Sequence, residues 1–323
     1  MISPPEPPDL ARAQPDRAEL VEAARLSIAR GSKSFSLASR LFDRATRERV
    51  WLLYAWCREC DDLTDGQSLG HAAEAAPTDA AFARLAFLTS ATERALAGEP
   101  TGALPFEALR LVASECAIPP AFVRAHLDGF ALDAADWRPR TEADLLRYCY
   151  HVAGVVGCMM AVVMGVAPDD GDTLDRASDL GIAFQLANIA RDIADDAAAG
   201  RCYLPADWLA QAGIGEGDLM APRHREALAA IGARLAALSA AYERSAVAGA
   251  ARLPFRARWA VLAAAAMYGA IGRKVAERGP HAWDSRVIIR KRRKLASVAA
   301  AFTAAAGLTA PDPGRAGLWT RSA

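Results

Sequence analysis

The sequence predicts an all-α fold, for three reasons. The 323 residues include 76 alanines, and alanine has the highest intrinsic helix propensity. Apolar side chains recur at helical spacing, as they do from Val50 to Asp61 behind the capping residue Asp43. No segment alternates between apolar and polar residues in the way that a half-buried strand does.

Helix signals continue from residue 16 to residue 306 without a long linker, so we expect one domain over that range. Proline opens several of the helices, and Thr141 with Asp144 forms a capping box for another. The predicted helices cover residues 43–61, 78–96, 105–116, 119/120–133, 141–165, 173–196, 222–247, 254–278 and 287–305.

The two ends of the chain differ from this body in composition. Residues 1–15 contain five prolines and lack the basic and apolar regions of a signal peptide, which predicts a disordered arm. Residues 307–323 are rich in glycine, proline and arginine, which predicts a flexible tail.

Composition argues against several classes of protein. The 38 basic and 38 acidic residues give a net charge of zero, which argues against nucleic-acid binding through bulk positive charge. Six cysteines are too few for a disulfide scaffold and are typical of a reduced, cytoplasmic chain. Cys57 and Cys60 form a lone CxxC pair, which predicts packing residues rather than a zinc site.

One segment, residues 148–168, carries no formal charge over about the length of a membrane span. A helix that is apolar all round is also typical of a buried core helix. The segment has two tyrosines and His151 at one end and lacks Leu, Ile and Phe, which favours the core interpretation. Its glycines would permit close contact with another helix.

Two acidic motifs place polar side chains on one face of a helix. Asp61 and Asp65 lie four residues apart, and Asn188, Asp192 and Asp196 repeat that spacing further along the chain. Like charges at this spacing repel, and the first motif also lies near a helix C-terminus, where the dipole disfavours anions. Both motifs therefore need a compensating cation.

Ligands that are all oxygen atoms suit Mg²⁺ or Mn²⁺ rather than Zn²⁺. Two facing helices of this kind would hold Mg²⁺ and a diphosphate, and they would promote departure of the diphosphate to leave a carbocation. The alternative is that each motif is a solvated helix face. Apolar flanks favour the first interpretation, because they would accept a prenyl chain: Val152, Ala153, Val156, Met159, Met160, Leu180, Ala183, Phe184 and Ala187.

Four segments resemble the phytoene/squalene synthase family in sequence, order and separation: YAWCRECDDLTDG, YCYHVAGVVG, QLANIARDIADDAAAGRCYLP and AWDSRVIIRKRRKL. The resemblance covers residues 27–305 and is closer to bacterial phytoene synthases than to squalene synthases. It implies a single-domain isoprenoid (terpenoid) synthase fold with a central cavity. It also implies a prenyltransferase of carotenoid biosynthesis that couples two geranylgeranyl diphosphates head to head (1′–1), through prephytoene diphosphate, to phytoene.

The resemblance implies roles for individual residues as well. The metal ligands would be Asp61, Asp65, Asn188, Asp192 and Asp196. The catalytic set would comprise Asp61, Asp65, Asp192, Asp196, Arg58 and Tyr148. The substrate-binding positions would be Ser34, Phe35, Ser36, Arg58, Tyr148, Gln185, Arg191, Tyr203, Tyr268 and Arg286.

Two alternatives to this assignment stay open at this stage. A squalene or dehydrosqualene synthase would use farnesyl diphosphate, because chain length depends on the floor of the cavity. Squalene synthases also use NADPH, and we expect none here. Asp62 gives the first motif the DDxxD pattern of chain-elongating prenyl synthases, but the second motif does not repeat it. A non-catalytic relative acting as an assembly factor or scaffold would be expected to lose the metal-binding aspartates.

Residues 286–294 contain six basic side chains. One interpretation is a solvated helix face, and another is contact with anionic lipid head groups. The prenyl substrate and product are long hydrocarbons, so a peripheral position on the inner face of the membrane and contact with downstream carotenoid enzymes are further hypotheses.

Overall fold

The computed structural model describes residues 15–65, 78–215, 217–307 and 312–321. Of these residues, 76% are helical and none is in a strand. The predicted disordered arm lies, except for Pro15, outside the described residues. The α-helices are α1 Arg17–Gly31, α2 Lys33–Ser39, α3 Arg44–Asp65, α4 Thr78–Leu96, α5 Leu104–Cys116, α6 Pro120–Ala134, α7 Glu142–Cys149, α8 Val155–Val163, α9 Gly171–Ala198, α10 Ala206–Gln211, α11 Arg225–Gly249, α12 Phe255–Arg278 and α13 Lys291–Ala306.

The 28-residue helix α9 is the central element. Its N-terminus is capped by Asp170, whose carboxylate accepts a hydrogen bond from the backbone N–H of Thr173 at 3.1 Å. It packs against α8, α11 and α12, and its buried face combines leucine and isoleucine with many small residues. The small residues allow the neighbouring helices to approach closely.

The backbones of α8 and α9 lie especially close together. A Cβ on Gly157 would collide with the backbone carbonyl of Ala177, and a Cβ on Gly181 would collide with that of Ala153. Only glycine, which has no side chain, is compatible with backbones at this separation. This contact holds the apolar helix predicted from residues 148–168 against the centre of the protein.

The helix predicted over residues 141–165 contains an irregularity that the sequence did not indicate. α7 and α8 are joined by a π-helical turn, Tyr150–Gly154, so the backbone continues with one widened turn. The combined helix Glu142–Val163 is the one in the described chain that is long and apolar enough to cross a membrane. The protein buries 56% of its most apolar window, in agreement with the core interpretation.

The C-terminal tail packs on the protein where it is described. Arg315 forms a two-pronged ion pair with Asp179, with Nε and Nη2 at 2.8 and 2.9 Å from the two carboxylate oxygens. Arg321 pairs with Asp175 at 2.7 Å, and the backbone N–H of Trp319 donates to Tyr242 Oη at 3.0 Å. Composition predicts a flexible segment here, but Asp175 and Asp179 of α9 attract the arginines of the tail.

Candidate active site

A cavity of about 460 Å³ lies between α3 and α9, with α6, α8, α11 and α12 completing its wall. Most of its wall is apolar, with acidic side chains at one end and a few polar residues elsewhere, among them Thr173 and Arg176. Asp61 of the first motif lines that end from α3, and the second motif lines it from α9. The central cavity expected from the family resemblance is therefore present.

The first motif ends α3. Asp61 lines the cavity with its side chain half exposed, and Arg58 lines it one turn earlier. The guanidinium of Arg58 hydrogen-bonds to Asp62 and lies 4.0 Å from Asp61. Burial lowers the pKa of Arg58, but its pairing with Asp62 outweighs that effect and the net pKa is raised. The side chain of Asp65 lies outside the described residues.

The second motif forms a polar stripe along α9. Asn188, Asp192 and Asp196 all line the cavity, and Gln185 precedes them on the same wall. Asp195 lies off this stripe and is exposed. The spacing of four residues thus places these side chains on one face of α9, as the sequence predicts.

Two arginines contact Asp192 from beside the cavity rather than from its wall. Arg191 donates from Nε to Oδ1 at 2.8 Å and from Nη2 to Oδ2. Arg286, from the segment before α13, reaches Asp192 at 3.0 Å and Asp195 at 3.2 Å. Both lie next to the place where a diphosphate would meet the second motif.

The residues present fit a hard divalent cation. Asn188 Oδ1 is buried and has no hydrogen-bond partner among the described residues, and a buried carbonyl oxygen of this kind is costly unless something binds it. The remaining donors at this end are carboxylate oxygens, which suit Mg²⁺ or Mn²⁺. Within the described chain, no three His, Cys, Asp or Glu side chains converge as a ready ligand group. Substrate oxygens would have to complete the coordination.

Two predicted site residues, Tyr148 and Tyr203, hydrogen-bond to a carboxylate that sequence reasoning missed. Asp133, at the end of α6, accepts hydrogen bonds from Tyr148 Oη at 3.0 and 3.1 Å and from Tyr203 Oη at 3.2 Å. The two tyrosine rings stack with centroids 5.0 Å apart. Burial raises the pKa of Tyr148 well above its usual value, and the Asp133 carboxylate adds to that effect. A tyrosine hydroxyl kept protonated in this way keeps its hydrogen bond to Asp133.

A cluster of aromatic side chains forms the cavity wall beyond the acidic motifs. Tyr268 stacks on Phe184 with ring centroids 4.2 Å apart, and Phe35 packs against both rings at 5.0 and 6.1 Å. Phe35 belongs to α2. The hydroxyl of Ser32 caps the N-terminus of this helix by accepting a hydrogen bond from the backbone N–H of Phe35. Tyr54 lies 6.3 Å from Phe35 on the other side.

The serines predicted with Phe35 do not line the cavity in the described structure. Ser34 and Ser36 are half-buried on α2, and the carbonyl of Ser36 accepts a hydrogen bond from Ser39 Oγ. A helix turns successive residues about 100° apart, so Phe35 can face the cavity while its neighbours face elsewhere. Of this triplet, the structure places only the phenyl ring on the wall.

The apolar wall predicted from the two flanks is present in part. Val152, Val156 and Met160 line the cavity, as do Ala153, Leu180 and Phe184. Met159, Ala183 and Ala187 instead point into the surrounding apolar core, where each is almost fully buried. Only one face of each helix can meet the cavity, and the sequence alone did not divide the two faces.

The match to known proteins covers most of the chain. The family model described as squalene/phytoene synthase matches residues 28–293. The chain belongs to this family. It is 47% identical over 304 residues to a 15-cis-phytoene synthase from Pantoea ananas and 48% identical over 304 residues to a phytoene synthase from Pseudescherichia vulneris. In both cases the match covers 94% of this chain and 98% of the relative.

Solved structures of squalene/phytoene synthase relatives share the fold. A dehydrosqualene synthase in complex with a ligand superposes with a TM-score of 0.79 at 26% identity, covering 89% of this chain and 96% of that one. A squalene synthase from Alicyclobacillus acidocaldarius gives a TM-score of 0.70 at 25% identity, covering 81% and 95%. The all-α isoprenoid synthase fold predicted from the sequence is thus confirmed.

Proposed function

We propose that the protein is a phytoene synthase that couples two geranylgeranyl diphosphates head to head (1′–1), through prephytoene diphosphate. The observation that carries this proposal is that residues of both acidic motifs line one mostly apolar cavity. The prediction of a prenyltransferase of the phytoene synthase type is confirmed by near full-length relatives of that name at 47–48% identity. Enzymes of this family ionise diphosphates and are generally metal-dependent.

The proposed metal is Mg²⁺, held by Asp61 and Asp65 on one wall and by Asn188, Asp192 and Asp196 on the other. When bound, it would neutralise charge on the departing diphosphate. Buried Asn188 Oδ1 and the all-oxygen donor set support this assignment. The support for Asp65 is its place in the sequence motif, four residues after Asp61.

The cationic side chains around this end bind and orient the diphosphate. Arg58, Arg191 and Arg286 offer guanidinium donors, which match phosphate oxygens in pairs. Tyr148 and Tyr203 are fixed by Asp133, so their ring positions are set before substrate arrives. Guanidinium donors beside the departing group lower the barrier to ionisation, because they stabilise its developing negative charge.

The inner wall protects the cation that ionisation leaves. The faces of Phe35, Phe184 and Tyr268 carry negative quadrupoles and attract positive charge. Val152, Val156 and Met160 add an apolar surface that excludes water, which would otherwise quench the cation. The same surface gives the prenyl chains a place to bury.

The overall reaction balances without a reductant. Two geranylgeranyl diphosphates give one phytoene, two diphosphates and two protons, so no NADPH is required by the stoichiometry. The departed diphosphate is the proposed acceptor of the last proton, because it is left beside the cation and is a base.

A product assay tests the proposal. Purified protein with geranylgeranyl diphosphate and Mg²⁺, without NADPH, should release phytoene, detected by chromatography and mass. A squalene or dehydrosqualene synthase would instead turn over farnesyl diphosphate, and activity on that substrate alone would contradict the substrate assignment. A non-catalytic relative would release no diphosphate from either substrate. The presence of all five residues of the two metal motifs argues against that last alternative.

We also propose that the basic segment 286–294 contacts anionic lipid. Ile288 and Leu295 are large apolar side chains that are 74% and 51% exposed beside Arg290–Arg293. No acidic residue occurs in the sequence between Asp284 and Asp312. Exposed apolar side chains among cations are typical of a surface that rests on a membrane. A cytoplasmic location with peripheral membrane contact, and contact with downstream carotenoid enzymes, remain predictions.

Vesicle co-sedimentation tests the lipid contact. The protein should sediment with phosphatidylglycerol vesicles and not with phosphatidylcholine vesicles, and 0.5 M salt should release it, since salt screens exposed charges (on the order of a 4 Å Debye length). The double variant Arg292→Glu with Arg293→Glu should lose the binding. Equal sedimentation of wild type and variant would contradict the proposal.

A further inference from the structure

The cavity has a polar end and an apolar end, and α9 runs the whole distance between them. Asp192 and Asp196 line the polar end. Arg176, sixteen residues before Asp192 on the same helix, lines the other end together with Met164 and Leu253. At 1.5 Å per residue these two positions are about 24 Å apart. An arginine at the apolar end of a hydrocarbon-binding cavity requires an explanation.

The guanidinium of Arg176 is buried and held by three oxygen atoms. Its Nη2 donates to Asp312 Oδ2 at 2.7 Å, its Nε to Asp172 Oδ2 at 3.4 Å and its Nη1 to the carbonyl of Ser245 at 3.3 Å. Arg176 is only 5% exposed. The charge is therefore satisfied by carboxylates, and the side chain is fixed in one orientation.

The stem of Arg176 packs directly on the backbone of α11. A Cβ added to Gly249 would lie 2.6 Å from Cβ and 2.8 Å from Cδ of Arg176, closer than real Cβ contacts come. Gly249 also lines the cavity, as do the small residues Ala246 and Ala250. The methylene groups of Arg176 therefore fill the space between α9 and α11 at this end of the cavity.

Asp312 reaches Arg176 from outside the wall. It belongs to the C-terminal tail, and it is not among the described residues that line the cavity. The tail is itself anchored to α9 by the pairs of Arg315 with Asp179 and of Arg321 with Asp175. A segment beyond the family match at residues 28–293 thus contacts a side chain that closes the cavity.

We propose that Arg176, packed on Gly249 and held by Asp312, is the floor of the prenyl cavity and limits the length of the prenyl chain that the enzyme accepts. The inference rests on the proposed function, because it concerns the far end of the same substrate. The methylenes of Arg176 offer an apolar surface to the last isoprene unit while the paired guanidinium stays away from it. Arg176 is thereby a specificity-determining residue.

Two substitutions at one contact should change chain-length preference in opposite directions. Arg176→Ala removes the stem and lengthens the cavity, so the preference for a twenty-five-carbon over a twenty-carbon diphosphate should rise about tenfold. Gly249→Ala pushes the stem inward, so the preference for a fifteen-carbon over a twenty-carbon diphosphate should rise by about the same factor. The preference is the ratio of kcat/KM values in competition, followed by product mass.

Binding of prenyl thiolodiphosphates of the same three lengths gives a second measurement that needs no turnover. Arg176→Ala should remain folded, because Asp172 keeps Arg252 as a partner and Asp312 is half exposed; its melting temperature checks this. Asp312→Asn should change the preference in the direction of Arg176→Ala, by a smaller factor. Arg124→Ala, which removes an exposed ion pair with Glu93 outside the cavity lining, is the control and should keep the wild-type ratio.

Folded variants at 176 and 249 that both keep the wild-type preference would overturn the proposal. Failure of the proposed function would look different. Wild-type protein would then form no forty-carbon product from the twenty-carbon diphosphate, whereas the change in relative binding between wild type and variants would still report on the floor.

Discussion

Arg286 holds the central carboxylate of the second acidic motif, with its Nη2 3.0 Å from Oδ1 of Asp192. The arginine side chain is 55% exposed and comes from the segment before α13, whereas that of Asp192 is 18% exposed and lies on the cavity wall. A carboxylate that would bind a metal thus already has a protein cation as its partner. Metal and arginine must compete for Asp192, and a displaced Arg286 is placed to meet the diphosphate.

Arg286→Gln should therefore separate metal binding from catalysis. Without substrate, the apparent affinity for Mn²⁺ should increase about threefold to tenfold, because one of the two arginines that pair with Asp192 is gone and only Arg191 remains. With substrate, kcat/KM should fall about tenfold or more, because the diphosphate loses a charged donor. Mn²⁺ titration followed by electron paramagnetic resonance measures the first effect, with Arg290→Gln as the control. Weaker Mn²⁺ binding in Arg286→Gln would contradict the competition.

Tyr148 and Tyr203 should act as a coupled pair, because both donate to Asp133. Tyr148→Phe and Tyr203→Phe should each lower kcat/KM about tenfold, and the double variant should lose less than the product of the two effects. Steady-state kinetics on the four proteins of this cycle gives the coupling. Tyr150→Phe is a matched control, since its ring packs against Trp319 in the C-terminal tail. Strictly additive losses would contradict the coupling of the two tyrosines through Asp133.

Gly157→Ala and Gly272→Ala should have opposite effects on stability. At Gly157 a Cβ has no room against the α9 backbone, so overpacking should cost about 1–3 kcal/mol or more. At Gly272 the nearest atoms lie 3.6 Å from the added Cβ, so alanine should stabilise α12 by about 0.5–1 kcal/mol. Denaturant unfolding of the two variants measures both free energies. A tolerated alanine at 157 would mean that the helices are further apart than described.

His126 should make the fold sensitive to mild acid. Burial lowers its pKa from 6.5 to about 4, while its Nδ1 lies 3.1 Å from the carbonyl of His151. Between pH 6.5 and 4 the unfolded chain binds the proton and the folded chain does not, so stability falls as the pH drops through that range. The loss is on the order of 3 kcal/mol and is absent above pH 7.

Melting temperatures from pH 7.5 to 4.5 test this dependence. His126→Asn, which keeps a donor near the position of Nδ1, should flatten the pH profile relative to wild type. The exposed His281 provides a control substitution, His281→Asn. Parallel profiles for wild type and His126→Asn would assign the acid sensitivity to other groups.

The parts of the site that the sequence predicts are those set by local helical geometry. Asp61, Asn188, Asp192 and Asp196 lie where a spacing of four residues places them, and the predicted bounds of α4 coincide with the observed ones. These features need only the pitch of one helix, together with motifs that identify the family.

The parts that sequence reasoning missed depend on contacts between distant residues. Asp133 is defined by hydroxyls from Tyr148 and from Tyr203, which is seventy residues away. Arg176 meets Asp312 across 136 residues, and its role appears only when the end of the cavity is visible. Acidic residues at 172, 175 and 179 on α9 indicate that cations are needed there. The composition of the tail does not show that its arginines supply them.

Diphosphate release by Asp61→Ala and Asp192→Ala tests the central claim, that two facing acidic helices hold the metal and the diphosphate together. In each variant, the rate of Mg²⁺-dependent release of inorganic diphosphate from geranylgeranyl diphosphate should fall at least about a hundredfold, because each wall is required. Each should keep the helical circular dichroism of wild type, since neither side chain is in the apolar core. Wild-type rates of release in either folded variant would contradict the two-wall arrangement.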